Sequence, residues 1–506
     1  MITELLETNA AELGDRPFIL FEGEEISWSD TQALTARLAG LLEQRGIARG
    51  DRVILARSNS PTFIVSWFAL RWMGAVCVPM HSAATPAAVA SMVENAEIRT
   101  AIADADLFDA LTTAVPHLAD TTIRFDDYPA LVSAVGNIPP VPRYPAGPAD
   151  ISSILYTSGT TGTPKGVTLA ERTFTAGGRH LADAIGVTAD DRILLALPLF
   201  HTNPQVYGVM VALNTGCSLA ILSKFTPATL LNDAVAHRAT GFTYVGALLH
   251  LVLSKSATIP QNHSLRFCVG GGASPDVWQE AESKLGLRVH ELYGMTETGG
   301  WVSVARNESH HGTCGTARPD VDIAIVGEDD EVLPPGAVGQ IVVRPREPHV
   351  LFSSYHGRPQ TTLDRMGNLW FHTGDLGVLD DAKVLAFHGR ADDVIRRGGE
   401  NIVPSAVTDA VESHPGVLEA AAVGVPDDVM GQETKLVVVR RPGAEVTVDE
   451  LTELMREHLP KFAHARYVEF RQELPRTATQ KVQMQELRNL GQGVVDMRQE
   501  TDRVKH

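Results

Sequence analysis

The segment Thr157-Ser158-Gly159-Thr160-Thr161-Gly162-Thr163-Pro164-Lys165-Gly166 packs five hydroxyls, three glycines and a lysine into one short stretch. Glycines let backbone N–H groups approach an anion closely, hydroxyls donate hydrogen bonds to it, and the lysine adds charge. That is the chemistry of a phosphate cradle. It is not a P-loop, because Lys165 is followed by Gly166 and the glycine spacing differs. From spacing and composition alone, a flexible Gly/Thr-rich turn is the competing description. In Tyr293-Gly294-Met295-Thr296-Glu297-Thr298, Thr296 offers a hydroxyl to a phosphate and Glu297 a carboxylate to Mg²⁺, which prefers oxygen ligands beside nucleotide phosphates. A helix-start cap would account for Thr296 but not for Glu297. Asp375, in His-Thr-Gly-Asp, could accept hydrogen bonds from two hydroxyls or could be an ordinary turn aspartate.

These side chains need a scaffold, and the sequence supplies one by alternating short β-branched runs with longer helical patterns, the sign of α/β layering. Residues 51–56 read as a strand, 61–73 as a helix, 76–80 as a strand, 86–95 as a helix and 101–103 as part of a further strand. Residues 144–150 look like a linker into the apolar run 151–156. Residues 321–345 read as short antiparallel strands around a turn at Leu333-Pro334-Pro335-Gly336. A boundary is suggested at Gly389-Arg390-Ala391-Asp392, followed by a helix (405–413), strands (419–423 and 435–439) and a helix (448–458). There is no internal repeat and no low-complexity tract.

Composition bounds the partners. The chain has 506 residues, too many for one compact core. Its net charge of -18, from 43 Lys plus Arg against 61 Asp plus Glu, disfavours nucleic acid and anionic lipid as partners. A polyanion such as ATP must therefore meet a local positive site. Cys77, Cys217, Cys268 and Cys314 are far apart with no CxxC spacing, which argues against a zinc site and a disulfide framework and suits a reducing cytoplasm. The acidic N-terminus reads as a helix rather than a signal peptide. The most apolar stretch, 63–80, is interrupted by Arg71, so no membrane crossing is expected.

The run YTSGTTGTPKGV closely resembles the phosphate loop of the adenylate-forming superfamily, which comprises acyl- and aryl-CoA ligases, amino-acid adenylation domains and luciferases. Further motifs follow in that superfamily's order: Leu197-Pro-Leu-Phe-His201, Tyr293 to Thr298, Trp370-Phe-His-Thr-Gly-Asp-Leu376, Gly389-Arg-Ala-Asp-Asp393 and Leu474-Pro-Arg-Thr-Ala-Thr-Gln-Lys481. The resemblance implies an α/β fold: a large N-terminal domain (1–390) of layered α/β subdomains plus a β-barrel-like part, and a small mobile C-terminal α+β domain (391–506). It implies ATP and Mg²⁺ as cofactors. Thr157, Ser158, Gly159, Thr160, Thr161, Gly162 and Lys165 would hold phosphates, and Tyr293 would lie against the adenine. Thr296 and Glu297 would serve a phosphate and the metal. Gly270-Gly271-Gly272-Ala273-Ser274 resembles the segment lining the adenine and acid pocket. Asp375 and Arg390 would hold the ribose, Asp392 would be the hinge of the small domain, and Lys481 would bridge the acid carboxylate and the α-phosphate. The superfamily usually has Gly before this lysine; Gln480 stands there.

For the acid itself, amino-acid-activating relatives carry Asp after the Phe of Leu-Pro-x-Phe, where this chain has His201. An ordinary α-amino acid is disfavoured; His201 is either a packed wall or a substrate contact. Tyr207, Val245, Gly270, Gly294, Met295 and Val302 are further candidate walls, and the set carries no net charge. A small to medium apolar or aromatic acid is the expectation. Arg397-Gly-Gly-Glu-Asn-Ile-Val-Pro404 resembles the corresponding segment of medium-chain and crotonobetaine/carnitine-type CoA ligases, which favours CoA as acceptor. Ala406 replaces an acidic residue usual just after that segment, and Gly246 stands where some members have Pro. The expected activity is an AMP-forming acid–thiol ligase. The alternatives are an adenylating enzyme serving a separate carrier protein or a nitrogen nucleophile, and a non-catalytic acyl-AMP-binding relative. The last should have lost Lys481, Glu297 or Asp375, and all three are present.

Overall fold

The computed structural model describes all residues except 158–163, 257, 307, 399, 477–481, 492 and 498–506, and describes only the backbone of 247, 308 and 401. The chain divides into two compact units, Met1–Asp322 with Val343–Trp370, and Ile323–Val342 with Phe371–His506.

Two sheets organise the first unit. In one of seven strands, Arg52–Ala56 pairs in parallel with Val76–Pro79 on one side and Thr100–Ala103 on the other. These three short runs are Val-, Ile- and Ala-rich, as strands buried on both faces are. Ile151–Thr157 continues that sheet and turns back antiparallel as Lys165–Ala170, which places Thr157 opposite Lys165. In the nine-stranded sheet, the interior runs in parallel through Pro17–Phe21, Ser218–Ile221, Arg192–Leu195, Gly241–Val245, Phe267–Gly271 and Arg288–Tyr293. The helix Pro61–Trp72 is buried at every position, so being apolar nearly all round marks it as interior. Its one charge, Arg71, meets Glu171 at 2.7 Å with both side chains 1% exposed. Glu171 also accepts from the Ile2 N–H at 2.9 Å. All four cysteines are buried, and none is in a disulfide among the described residues.

The second unit holds most of a five-stranded sheet, the barrel-like part, in which Trp370–Leu379 pairs with Leu385–Arg390. Val321–Val326 and Gly339–Pro345 are neighbours in that sheet, where the sequence predicts short strands. Its other sheet is built on the long antiparallel pair Val417–Asp427 and Gly431–Arg440, extended in parallel by Tyr467–Arg471. One face packs Leu436 and Val438 against Val407, Val411, Leu451 and Met455 of the helices Pro404–Glu412 and Val448–His458. The opposite face packs Val437 and Val439 under Leu474 and Leu487. On that second face lies a fully buried lysine. Lys435 Nζ donates to the carbonyls of Leu487 (2.9 Å) and Asn489 (2.6 Å) and meets Glu469 Oε2 at 2.7 Å. No described helix is long and apolar enough to cross a membrane.

Candidate active site

Three adjacent parallel strands of the nine-stranded sheet end together at Val245, Gly271 and Tyr293, with Val245 opposite Gly271 and Gly270 opposite Glu291. Ligands of open α/β sheets bind beyond the carboxyl ends of the strands. Val245, Gly270, Gly271 and Tyr293 are therefore collected at one place, with Gly272 and Ala273 following directly. Backbones crowd there. A Cβ on Gly270 would lie 2.1 Å from the Tyr244 carbonyl oxygen, and one on Gly246 would lie 1.6 Å from that of Gly272. On Gly294 it would sit 2.3 Å from Trp301 Cα. These glycines are required by the packing of the protein itself, whatever ligand lies beyond them.

The segment after Tyr293 folds back on the same strand end. Val302 N–H donates to the Tyr293 carbonyl at 2.8 Å, and Met295 N–H donates to Thr298 Oγ1 at 2.9 Å. The helix Asn203–Met210 closes over this segment: Tyr207 Oη donates to the Gly300 carbonyl at 2.7 Å, and Asn203 Nδ2 to that of Tyr244 at 3.0 Å. Burial pushes the Tyr207 phenol upward, so it stays a neutral donor. Just before this helix, His201 makes ring contacts with Phe200 at 4.4 Å and His81 at 5.7 Å. Thus Tyr207, Val245, Gly270, Gly294, Met295 and Val302 share one neighbourhood, and His201 adjoins it through the helix.

Sequence reasoning missed Glu291, two residues before Tyr293. Its buried carboxylate accepts from Tyr244 Oη, from Gly272 N–H and, at 3.3 Å, from Ala273 N–H. Burial pushes this carboxyl up to about 7, against the opposing pull of those hydrogen bonds. One acid thereby braces the Gly-rich segment against two strands. Its proximity to Tyr293 was the available signal.

The hydroxyl- and lysine-bearing hairpin forms a second cluster in the same unit. Ser158, Gly159, Thr160, Thr161 and Gly162 lie outside the described residues; Thr157 and Lys165 face each other at the hairpin's base. Lys165 Nζ is 5.5 Å from the centre of the Tyr355 ring. Tyr355 Oη donates to Glu297 Oε1 at 2.8 Å, and the Glu297 carbonyl accepts from Phe352 N–H at 2.8 Å. Thr296 opens the same short turn, Thr296–Thr298. Tyr355 is the other residue that sequence reasoning missed. Among the described residues, no group of three or more His, Cys, Asp or Glu is arranged to hold a metal. One carboxylate completed by phosphate oxygens and water is how Mg²⁺ is commonly held beside nucleotides, so Glu297 fits that ion.

In the second unit Asp375 is buried and opposite Arg390 in register, with Arg390 Nε 3.8 Å from Asp375 Oδ1. The two predicted ribose contacts are neighbours. Asp392 lies in the short turn Ala391–Asp393 directly after that strand. Lys481 is outside the described residues. On either side of 477–481, Arg476 and Val482 form an antiparallel bridge, and Gln483 N–H donates to the Pro475 carbonyl at 2.8 Å.

With this geometry in place, comparison with known proteins finds the AMP-binding enzyme model over residues 6–355 and the AMP-binding enzyme C-terminal domain model over 406–481. The chain belongs to the AMP-binding enzyme family. Among relatives of this AMP-binding enzyme is the indoleacetate–CoA ligase of Aromatoleum aromaticum, 29% identical across 97% of this chain and 98% of the relative. The crotonobetaine/carnitine–CoA ligase of Salmonella arizonae is 26% identical across 92% and 95%. Among solved structures, ATP-bound MatB from Rhodopseudomonas palustris matches with a TM-score of 0.88 and 29% identity, covering 96% of this chain and 98% of that one.

Proposed function

We propose that this AMP-binding enzyme is an ATP-dependent carboxylic acid ligase that makes an acyl-AMP and then transfers the acyl group to a thiol, with CoA as the acceptor. What carries the reading is the pair of family matches, which take in the motifs from Thr157 to Thr298 and from Leu474 to Lys481, with Asp375, Arg390 and Asp392 in the interval between the two. The CoA ligases named among its relatives support CoA over a separate carrier protein or a nitrogen nucleophile. In the first half-reaction the acid carboxylate attacks the α-phosphorus of ATP, and the bond to the leaving pyrophosphate breaks. In the second, the thiol attacks the mixed anhydride and AMP leaves with the electron pair. Neither step needs a covalent enzyme intermediate.

Thr157, Lys165 and the intervening hydroxyls and glycines would hold the β- and γ-phosphates, with Thr296 on a phosphate oxygen. When bound at Glu297, Mg²⁺ would neutralise charge on those oxygens. Tyr293, Gly271, Gly272 and Ala273 would face the adenine, while Asp375 and Arg390 would hold the ribose. Lys481 would bridge the carboxylate and the α-phosphate, positioning both for in-line attack and stabilising the charge that develops. A domain of residues 391–506 would then rotate about Asp392, away from 1–390, to withdraw Lys481 and admit the thiol. His201, Tyr207, Val245, Gly270, Gly294, Met295 and Val302 would shape a pocket for a small to medium apolar or aromatic acid. A cytoplasmic place of action suits the anionic chain and its cysteines outside any disulfide.

The test is pyrophosphate release across aliphatic, aromatic and amino acids, each with and without CoA. Acid-dependent release with CoA-dependent AMP and thioester formation is expected; release indifferent to CoA would remove CoA as acceptor. Lys481→Ala should lose adenylate formation and keep thioester formation from supplied acyl-AMP, and equal loss of both would refute its assigned part.

A further inference from the structure

Tyr355 touches both halves of the phosphate side: its ring lies under the Lys165 ammonium and its hydroxyl donates to Glu297. The ring itself has little freedom. Ser354–Tyr355 pairs antiparallel with the lysine's own strand, with Tyr355 opposite Val167. Tyr355 N–H donates to Thr362 Oγ1 at 2.9 Å, and the next N–H, of His356, donates to the Gly166 carbonyl at 2.7 Å. Phe352 packs on it with ring centres 5.1 Å apart, and only 4% of the residue is exposed. Register, a side-chain hydrogen bond and ring packing thus fix one phenol between a cation and a carboxylate that are far apart in sequence.

We infer that Tyr355 is a positioning residue for the adenylation step, its hydroxyl orienting the Glu297 carboxylate for the metal and its ring holding Lys165 for the phosphates. The inference rests on the assignment of Glu297 to Mg²⁺ and of Lys165 to phosphate. The two contacts separate chemically. Tyr355→Phe keeps the ring and deletes the hydroxyl; Tyr355→Leu deletes both. The ring contact is the weaker of the two, since a cation near an aromatic face outside hydrogen-bond range gains less than a hydrogen bond to a charged group.

Calorimetric titration of the full chain with ATP in EDTA, and with ATP plus excess Mg²⁺, reads binding without turnover. For Tyr355→Phe, affinity in EDTA should match wild type, while affinity with Mg²⁺ should fall about tenfold, the size of one lost hydrogen bond to a charge. The Mg²⁺ concentration giving half-maximal pyrophosphate release should rise in parallel. Tyr355→Leu should weaken binding in EDTA as well; should it fail to fold, Tyr355→Phe alone decides. Equal weakening of Tyr355→Phe with and without metal, or no change in either, overturns the inference. Glu297→Gln is the control for the underlying assignment. If it leaves the metal dependence unchanged, the assignment of Glu297 falls; if it abolishes that dependence while Tyr355→Phe behaves as wild type, only the inference falls. In the Glu297→Gln background, adding Tyr355→Phe should change metal dependence no further.

Discussion

The two units hold their candidate site segments by different means. In the first, backbones press together at Gly246 against Gly272, Gly270 against Tyr244 and Gly294 against Trp301, leaving no room for a Cβ. In the second, charge fixes the segment flanking Lys481. Lys435 pairs with Glu469 while capping the carbonyls of Leu487 and Asn489, and Arg476 pairs with Glu419. Nearby, Arg397 meets Glu433 at 2.5 Å and Arg466 meets Asp427 at 2.6 Å. The first unit also buries ion pairs, Arg71 with Glu171 and Arg318 with Asp320, so the division is one of emphasis around the site. Steric contact is indifferent to protons, whereas a buried ion pair depends on them.

The largest test of this contrast is Lys435→Met. It leaves two buried carbonyls uncapped, at about 1–3 kcal/mol each, while Glu469 keeps only Arg471, and should cost about 3–5 kcal/mol in denaturant melts. A loss near zero would show that apolar packing alone holds the second unit's far face. Next comes Gly246→Ala, which drives a methyl into the Gly272 carbonyl and should cost about 1–3 kcal/mol by overpacking. Full tolerance would mean that the crowding is not what holds the strand ends. A third test concerns Glu291, whose carboxylate lies among those crowded backbones. Its folded-state value, about 7, exceeds the ordinary 4.5, so the folded chain binds more protons than the unfolded one between those values. Stability from this group is therefore lost as pH rises through that window, and no penalty remains below it. Glu291→Gln should flatten the slope between about pH 5 and about pH 8; an unchanged slope would assign it to other groups.

Much of the scaffold was legible because local chemistry agreed with tertiary structure. The helix Val448–His458 runs over the residues expected, since Thr447 and Glu450 cap each other's N–H groups at its start. The long pair in the second unit was read too short, as 419–423 and 435–439 against Val417–Asp427 and Gly431–Arg440. Pro426, Gly424 and the polar run Gln432-Glu433-Thr434 look like punctuation in a sequence. They stay in the ladder because Arg397 neutralises a fully buried Glu433 from a neighbouring strand. Thr157, Lys165, Glu297 and Asp375 were singled out as candidates because their types and spacing carry chemistry. Tyr355 and Glu291 were not, because nothing in spacing links residue 355 to 297 or residue 291 to 244 and 272. Strand order creates those contacts.

The cysteines add a consequence of their own. Cys77, Cys217, Cys268 and Cys314 all belong to the first unit, and all are buried; the second unit has none. Burial pushes the Cys77 and Cys268 thiols far upward and that of Cys217 up to about 12, so none of these three is a ready thiolate in the native chain. A thiol-reactive dye would then act as a stopwatch wired to one unit. Colour would develop only when the first unit opens, while the second could unfold and refold without being recorded.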